Sequence, residues 1–250
     1  MSGPIMAPSG VGLLLERLRA RIRAAEQHYG REPGSVVLLA ASKQQDVEKI
    51  RAAFDAGQRI FGESYLQEAL VKMEALRDLK AEWHFIGRIQ GNKTRRIAER
   101  FVWVHSLCDL GHARRLSRQR PPGLPPLKAC VQINLSGEAT KAGLDPAAAA
   151  EFLTACAGLP GIEIAGLMTL PSPLEGEADQ RLPFRALRAL RDRLATPSCP
   201  LETLSMGMSD DLVAAIAEGA TLVRVGTALF GPRDRRWEKL AHSGEREKRA

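Results

Sequence analysis

Lys43 is the residue whose placement suggests covalent chemistry. It ends the apolar run VVLLAAS, one residue past Ser42, at the lip of the first candidate strand. A lysine there can be partly desolvated, which lowers its pKa and supplies the neutral amine needed to attack an aldehyde. A lysine that caps a strand and snorkels to solvent has the same local sequence. Two later segments, LSMGMSDD (204–211) and VRVGTALFG (223–231), carry a second chemistry, that of a phosphate cradle. Gly207 and Gly226 let backbone amides approach an anion, and Ser209 and Thr227 offer hydroxyl donors. Ser209 is also expected to open a helix over 210–219 whose first amides favour negative charge. The same serine reads equally as an N-cap with Asp210 and Asp211 in the first turn, and the two roles are compatible.

Positioning these residues falls to a regular alternation. Leu14, Leu18, Ile22 and Ala25 recur at helical spacing and predict an N-terminal helix over about 11–29. Short apolar runs rich in Val and Ile then alternate with amphipathic segments. The runs are 35–42, 59–64, 83–89, 102–107, 126–135, 162–170, 201–208 and 221–230. Eight βα repeats predict one closed (β/α)8 barrel, an α/β TIM-barrel fold with its core over about 35–231, rather than an open doubly wound sheet. No G-x-G-x-x-G follows the first strand, and the connections at 137–143 and 171–183 read as polar loops, not interdomain linkers. The whole chain, 1–250, is expected to form a single domain that ends in a charged tail at 232–250. In such a barrel the chemistry collects where the strands end, which is where Lys43 and both glycine-containing loops fall.

Composition narrows the function. The opening MSGPIMAPSG has no basic segment followed by an apolar run, and no stretch of about 18 apolar residues occurs, so a cytoplasmic protein without membrane partners is expected. Cys108, Cys130, Cys156 and Cys199 lie far apart with no C-x-x-C pair, which argues against a zinc site or a disulfide scaffold. The net charge of +7 raises nucleic-acid binding as a reading. The arginines nevertheless fall in small groups at helical spacing, as on solvated helix faces, and 5% aromatic residues leave little to stack on bases. No nucleic-acid partner is expected.

Eight ordered motifs resemble one family: LLAASK (38–43), FGESYLQE (61–68), WHFIGRIQGNK (83–93), VHSLCD (104–109), QINLSGEATKAG (132–143), GLMTLP (166–171), LSMGMSDD and VRVGTALFG. They are similar to those of the pyridoxal phosphate homeostasis proteins, whose barrel is similar to the N-terminal domain of alanine racemases. The resemblance implies that pyridoxal 5'-phosphate (PLP) is held as a Schiff base on Lys43. It also implies that Arg224 faces the pyridine nitrogen and that Ser209, Gly226 and Thr227, with backbone of Met208, hold the phosphate. Arginine only donates, so a ring nitrogen facing it keeps no proton of its own and the ring is a weak electron sink. The alternative for Arg224 is a salt bridge inside the barrel.

Within these motifs Ser64 stands where the family usually has asparagine, which puts that polar contact with the cofactor in doubt. His84, with Asn92 and Lys93, is a candidate lining residue of the mouth, though a histidine between Trp83 and Phe85 also reads as a core residue. Ser205 and Gly207 are further candidates. Lys141 is either a second amine near the mouth or a solvated loop charge. The expected function is a monomeric PLP carrier or buffer that supplies apo-enzymes and has no catalysis of its own. The alternative is an amino-acid racemase. Racemases of this architecture draw a second base from a C-terminal β domain, and the 19 residues after Gly231 do not provide for one. Tyr29 and Tyr65, in or beside predicted helices, are poor substitutes for that base.

Overall fold

All eight apolar runs form strands in the computed structural model, which describes residues 10–136 and 142–233. They are β1 (Val37–Ala41), β2 (Ile60–Glu63), β3 (Glu82–Phe85), β4 (Trp103–Leu107), β5 (Leu127–Gln132), β6 (Ile162–Met168), β7 (Thr203–Ser205) and β8 (Leu222–Val225). Each pairs in parallel with the next and β8 returns to β1, so the sheet closes into the expected barrel. The strands read as continuous apolar runs because both faces are covered, by helices outside and by side chains within. In β5, LKACVQ, only Lys128 is exposed.

The covering helices are α2 (Val47–Asp55), α3 (Leu66–Ala75), α4 (Thr94–Arg100), α5 (Leu110–Gln119), α6 (Ala149–Cys156), α7 (Glu177–Leu194) and α8 (Leu212–Ala217), one after each of β1 to β7. The helix after β8, α9 (Thr227–Phe230), has four residues and is too short to cover its strand. The N-terminal helix α1 (Gly10–His28) fills that place, burying Leu15, Leu18, Ile22 and Ala25 and packing against α2, α8 and α9. None of the described helices is long and apolar enough to cross a membrane.

Several arginines read as solvated faces instead tie elements together. Arg19 donates to Gly57 O at 2.9 Å and Arg21 to Ser209 O at 3.0 Å, fixing α1 to the loops around it. On α7, Arg181, Arg185 and Arg188 converge on the Glu218 carboxylate at 2.7–3.1 Å. The connection read as a loop up to Pro183 is helical from Glu177, with Pro183 inside α7. Glu177 and Asp179 in the first turn favour that start, and the missing proline N–H costs one bond near the helix beginning. The charged tail from 234 onward lies outside the described residues.

Candidate functional site

The turn that carries Lys43 is held from below by a fully buried cluster. Lys72 Nζ donates to Ser42 O at 2.7 Å, to Glu63 Oε1 at 2.9 Å and to Glu68 Oε1, and Ser42 Oγ donates to Glu63 Oε1 at 2.6 Å. Next to Lys43, Gln44 adopts φ +56°, a left-handed conformation that costs about 1–3 kcal/mol outside glycine. Its N–H donates to Glu68 Oε1, so the same cluster holds the strained residue in place. Gln45 and Lys49 knit this turn to the C-terminal end of α9, with Lys49 Nζ 2.9 Å from Phe230 O and Gln45 Nε2 3.4 Å from Gly231 O.

Above the cluster, half-buried Lys43 lines a cleft of about 480 Å³ at the C-terminal ends of the strands. Burial lowers the pKa of its ammonium, and the nearby charges of Arg233 and Arg224 lower it further, against a weaker opposing pull from Glu63 and Glu68. The amine is therefore closer to its neutral, nucleophilic form than an exposed lysine. Arg224 reaches the cleft from β8. Its Nη1 donates to both the carbonyl and the hydroxyl of Ser205, each at 2.6 Å, and its Nη2 donates to Thr169 O at 3.0 Å. Burial brings its pKa down to about 10, so it stays charged at neutral pH. None of the described carboxylates forms a salt bridge with it, and the interior ion pair considered for Arg224 is not formed. Three of its five N–H groups are engaged within the described residues, which leaves two to donate elsewhere.

Of the expected residues, Lys43, Met208, Ser209, Arg224, Gly226 and Thr227 all line this cleft. The details depart from the reading at three of them. Ser209 does not open a helix over 210–219, because α8 starts at Leu212 after a turn. The Met208 N–H points to the Asp211 carboxylate at 2.5 Å, so that amide is already engaged. Gly226 has an ordinary φ; a Cβ there would sit 3.0 Å from Ala41 O, so its smallness serves the approach of β8 to β1. Gly207 does hold a left-handed φ of +95°, and a Cβ on it would meet Ala215 Cβ at 2.6 Å, but it lies behind the cleft wall.

Ser64, His84 and Ser205 do not line the cleft. The carbonyl of Ser64 packs on Gly87, where a Cβ would come within 2.0 Å. His84 is not at the mouth: it is buried inside the barrel and bonded to Glu82 and His105, because its place in β3 turns it inward. Ser205 lies beneath Arg224 and acts on the cleft through it. Lys141 falls outside the described residues. Gln45, Ile86, Met168 and Arg233 line the cleft without having been anticipated. Arg233 was hidden in what read as a tail, although a basic residue two positions beyond a phosphate-like loop was a usable signal.

Residues 13–234 match the family described as alanine racemase, N-terminal domain. A pyridoxal phosphate homeostasis protein of Pseudomonas aeruginosa is 54% identical over 220 residues, 88% of this chain and 94% of that protein. The structure of PipY from Synechococcus elongatus with PLP bound is 37% identical with a TM-score of 0.78, covering 88% of this chain and 100% of PipY. Alanine racemase from Corynebacterium glutamicum, at 21% identity and a TM-score of 0.62 over 88% of this chain and 61% of its own, shares the fold. On identity of this degree over most of its length, the chain belongs to the pyridoxal phosphate homeostasis protein family.

Proposed function

We propose that this protein binds PLP in the cleft between Lys43 and Arg224 and serves as an intracellular carrier or buffer of the cofactor, supplying apo-enzymes. When bound, PLP supplies an electrophilic aldehyde, a phosphate dianion and a pyridine nitrogen. The donor set fits such a molecule. Lys43 offers an amine shifted toward its neutral form by burial, and Arg224 keeps two N–H groups without an acceptor among the described residues. Ser209 and Thr227, both with hydroxyl side chains, line the same cleft, and the first amides of α9, which begins at Thr227, have no partner within their helix. The cleft volume suits a small cofactor. The observation that carries the reading is the convergence of Lys43 and Arg224, from opposite ends of the barrel sequence, on this one cavity.

Lys43 would be the covalent anchor, Arg224 the donor to the ring nitrogen, and Ser209, Gly226 and Thr227 the phosphate cradle. Arg224, a donor only, leaves a ring nitrogen unprotonated, which favours holding the cofactor over stabilising carbanions. The names of the close relatives support homeostasis over catalysis, whereas the likeness to racemases at 21% identity extends to the fold alone. Neither tyrosine considered as a second base lines the cleft, and Tyr29 Oη instead donates to Glu177 Oε1 at 2.5 Å. The same reading takes the chain to be a single-domain, monomeric cytoplasmic protein without nucleic-acid partners.

The test is an absorption spectrum of the protein with PLP, before and after borohydride, on wild type and Lys43→Ala. A band fixed by reduction onto the Lys43 peptide and absent in the variant is expected. Absence of any band, or a label elsewhere with Lys43→Ala unchanged, sinks the reading. Rapid racemisation of alanine by the loaded protein would overturn the carrier role.

A further inference from the structure

A chain of buried polar side chains crosses the barrel interior from Arg224 on β8 to Glu82 at the start of β3. Arg224 Nη1 lies 2.6 Å from Ser205 Oγ, Ser205 Oγ 2.8 Å from His105 Nδ1, His105 Nε2 2.9 Å from His84 Nδ1, and His84 Nε2 2.8 Å from Glu82 Oε1. Ser205 and His105 are fully buried and His84 nearly so, while the Glu82 side chain is 44% exposed. Trp103 stacks on His84 at 5.5 Å and lies 5.6 Å from His105, which fixes both ring planes.

The two ends determine the direction of every proton in between. Arginine can only donate, so Ser205 Oγ accepts from Arg224 and has its own proton free to give to His105 Nδ1. A carboxylate can only accept, so His84 Nε2 carries a proton and donates it to Glu82. With both imidazoles neutral, His84 Nδ1 is then an acceptor, His105 Nε2–H is its donor, and His105 Nδ1 is left to accept from Ser205. The assignments made from the two ends agree at every atom. Neutrality follows from burial, which lowers the pKa of both histidines, His105 well below the ordinary value; the Glu82 carboxylate offsets part of the effect at His84.

We infer that Ser205, His105, His84 and Glu82 are positioning residues for Arg224: a one-way chain of hydrogen bonds, anchored on the Glu82 carboxylate, locks both histidines as Nε2–H tautomers and holds the guanidinium so that its remaining N–H groups serve the ring nitrogen of PLP. This deepens the proposed function and rests on it. A buried polar chain with every member satisfied rigidifies what it holds, and one broken link leaves the others with an unmet group.

The test has two parts. Ring-nitrogen NMR of 15N-histidine-labelled wild type, without PLP at neutral pH, is expected to show His84 and His105 neutral and both Nε2–H; an Nδ1–H tautomer or an imidazolium at either site overturns the inference. PLP is then titrated into wild type, Ser205→Ala, Ser205→Thr and Glu82→Ala. Ser205→Ala is expected to weaken PLP binding about tenfold, the scale of one hydrogen bond to a charged group, and to shift the absorption band. Ser205→Thr, which keeps the hydroxyl, restores both. Glu82→Ala, remote from the cleft, shifts the band in the same sense as Ser205→Ala. If wild type takes up PLP on Lys43 but the band is indifferent to Ser205→Ala and to Glu82→Ala, this inference alone fails. If wild type takes up no PLP, the underlying reading fails and takes this one with it.

Discussion

Lys72 Nζ lies 2.9 Å from Glu63 Oε1 with both side chains at 0% exposure, directly beneath the turn that presents Lys43. Glu68 shares the same ammonium, so two carboxylates face one cation in the interior. Among the described residues, Glu63 Oε2 and Glu68 Oε2 find no hydrogen-bond donor. Burial pushes the Glu63 carboxyl up to about 7, against the pull of Lys72, and Glu68 adds to the rise. Glu63 is thus held closer to its neutral, protonated form than an exposed carboxyl.

The pH dependence of this cluster has a definite sign. A carboxyl whose folded pKa lies above its unfolded value binds its proton more tightly in the native state, so its contribution to stability is full below the unfolded pKa and is lost as pH rises through the folded one. For Glu63 that window runs from the ordinary carboxyl value of 4.5 to about 7. Glu63→Gln, which leaves Lys72 paired with Glu68, is expected to flatten the decline of urea-unfolding stability across this window. Lys72→Met, which strands two carboxylates, is expected to cost about 3–5 kcal/mol at neutral pH. A Lys72→Met protein as stable as wild type would contradict this account.

Lys43 should react as a lysine of depressed pKa. Trapping of a small aldehyde with borohydride, quantified on the Lys43 peptide by mass spectrometry, is expected to rise with pH around a midpoint below the ordinary 10.5. Because Arg233 contributes to the depression, Arg233→Ala should move that midpoint upward. A midpoint at or above 10.5 in wild type would mean that the cleft does not desolvate the amine.

Glu218 joins the end of α8 to α7 through three arginines. Burial alone would raise its pKa, but the hydrogen bonds from Arg185 and Arg181 overcome it and leave the carboxyl below its ordinary value. With a depressed folded pKa, the stabilisation is present above the unfolded pKa and is lost as pH falls through the folded one. Glu218→Gln is expected to cost about 1–3 kcal/mol in thermal or urea unfolding at neutral pH. The gap to wild type should narrow as pH falls below the ordinary carboxyl range and through the depressed folded pKa, where the wild-type carboxyl also protonates. An acid-insensitive gap would assign the loss to packing.

Much of the site could be read along the chain, since strand ends and their loops are local features. Lys43 after β1, Ser209 after β7 and Thr227 after β8 follow from where the apolar runs stop, and all three line the cleft. The helix start at Leu212 did not follow, because the Met208 amide and the Asp211 side chain close a turn that delays it. Ser64 sits in a family motif, but its packing on Gly87 depends on how β2 meets β3.

The sequence by itself determined the number and order of the βα units, because the alternation of apolar runs and amphipathic segments is a periodicity of the chain. It also determined which residue types stand at the strand ends. Tertiary structure alone decided what lies behind them. His84 and His105 are 21 residues apart, and His105 and Ser205 are 100 apart; nothing in their local sequence distinguishes a core histidine from a link in a chain. Likewise Lys72 reads as one more charge on a helix until the barrel closes and sets it between two buried carboxylates under Lys43. Barrel closure joins residues by strand register and inward facing, and those relations exist only once the eighth strand has paired with the first.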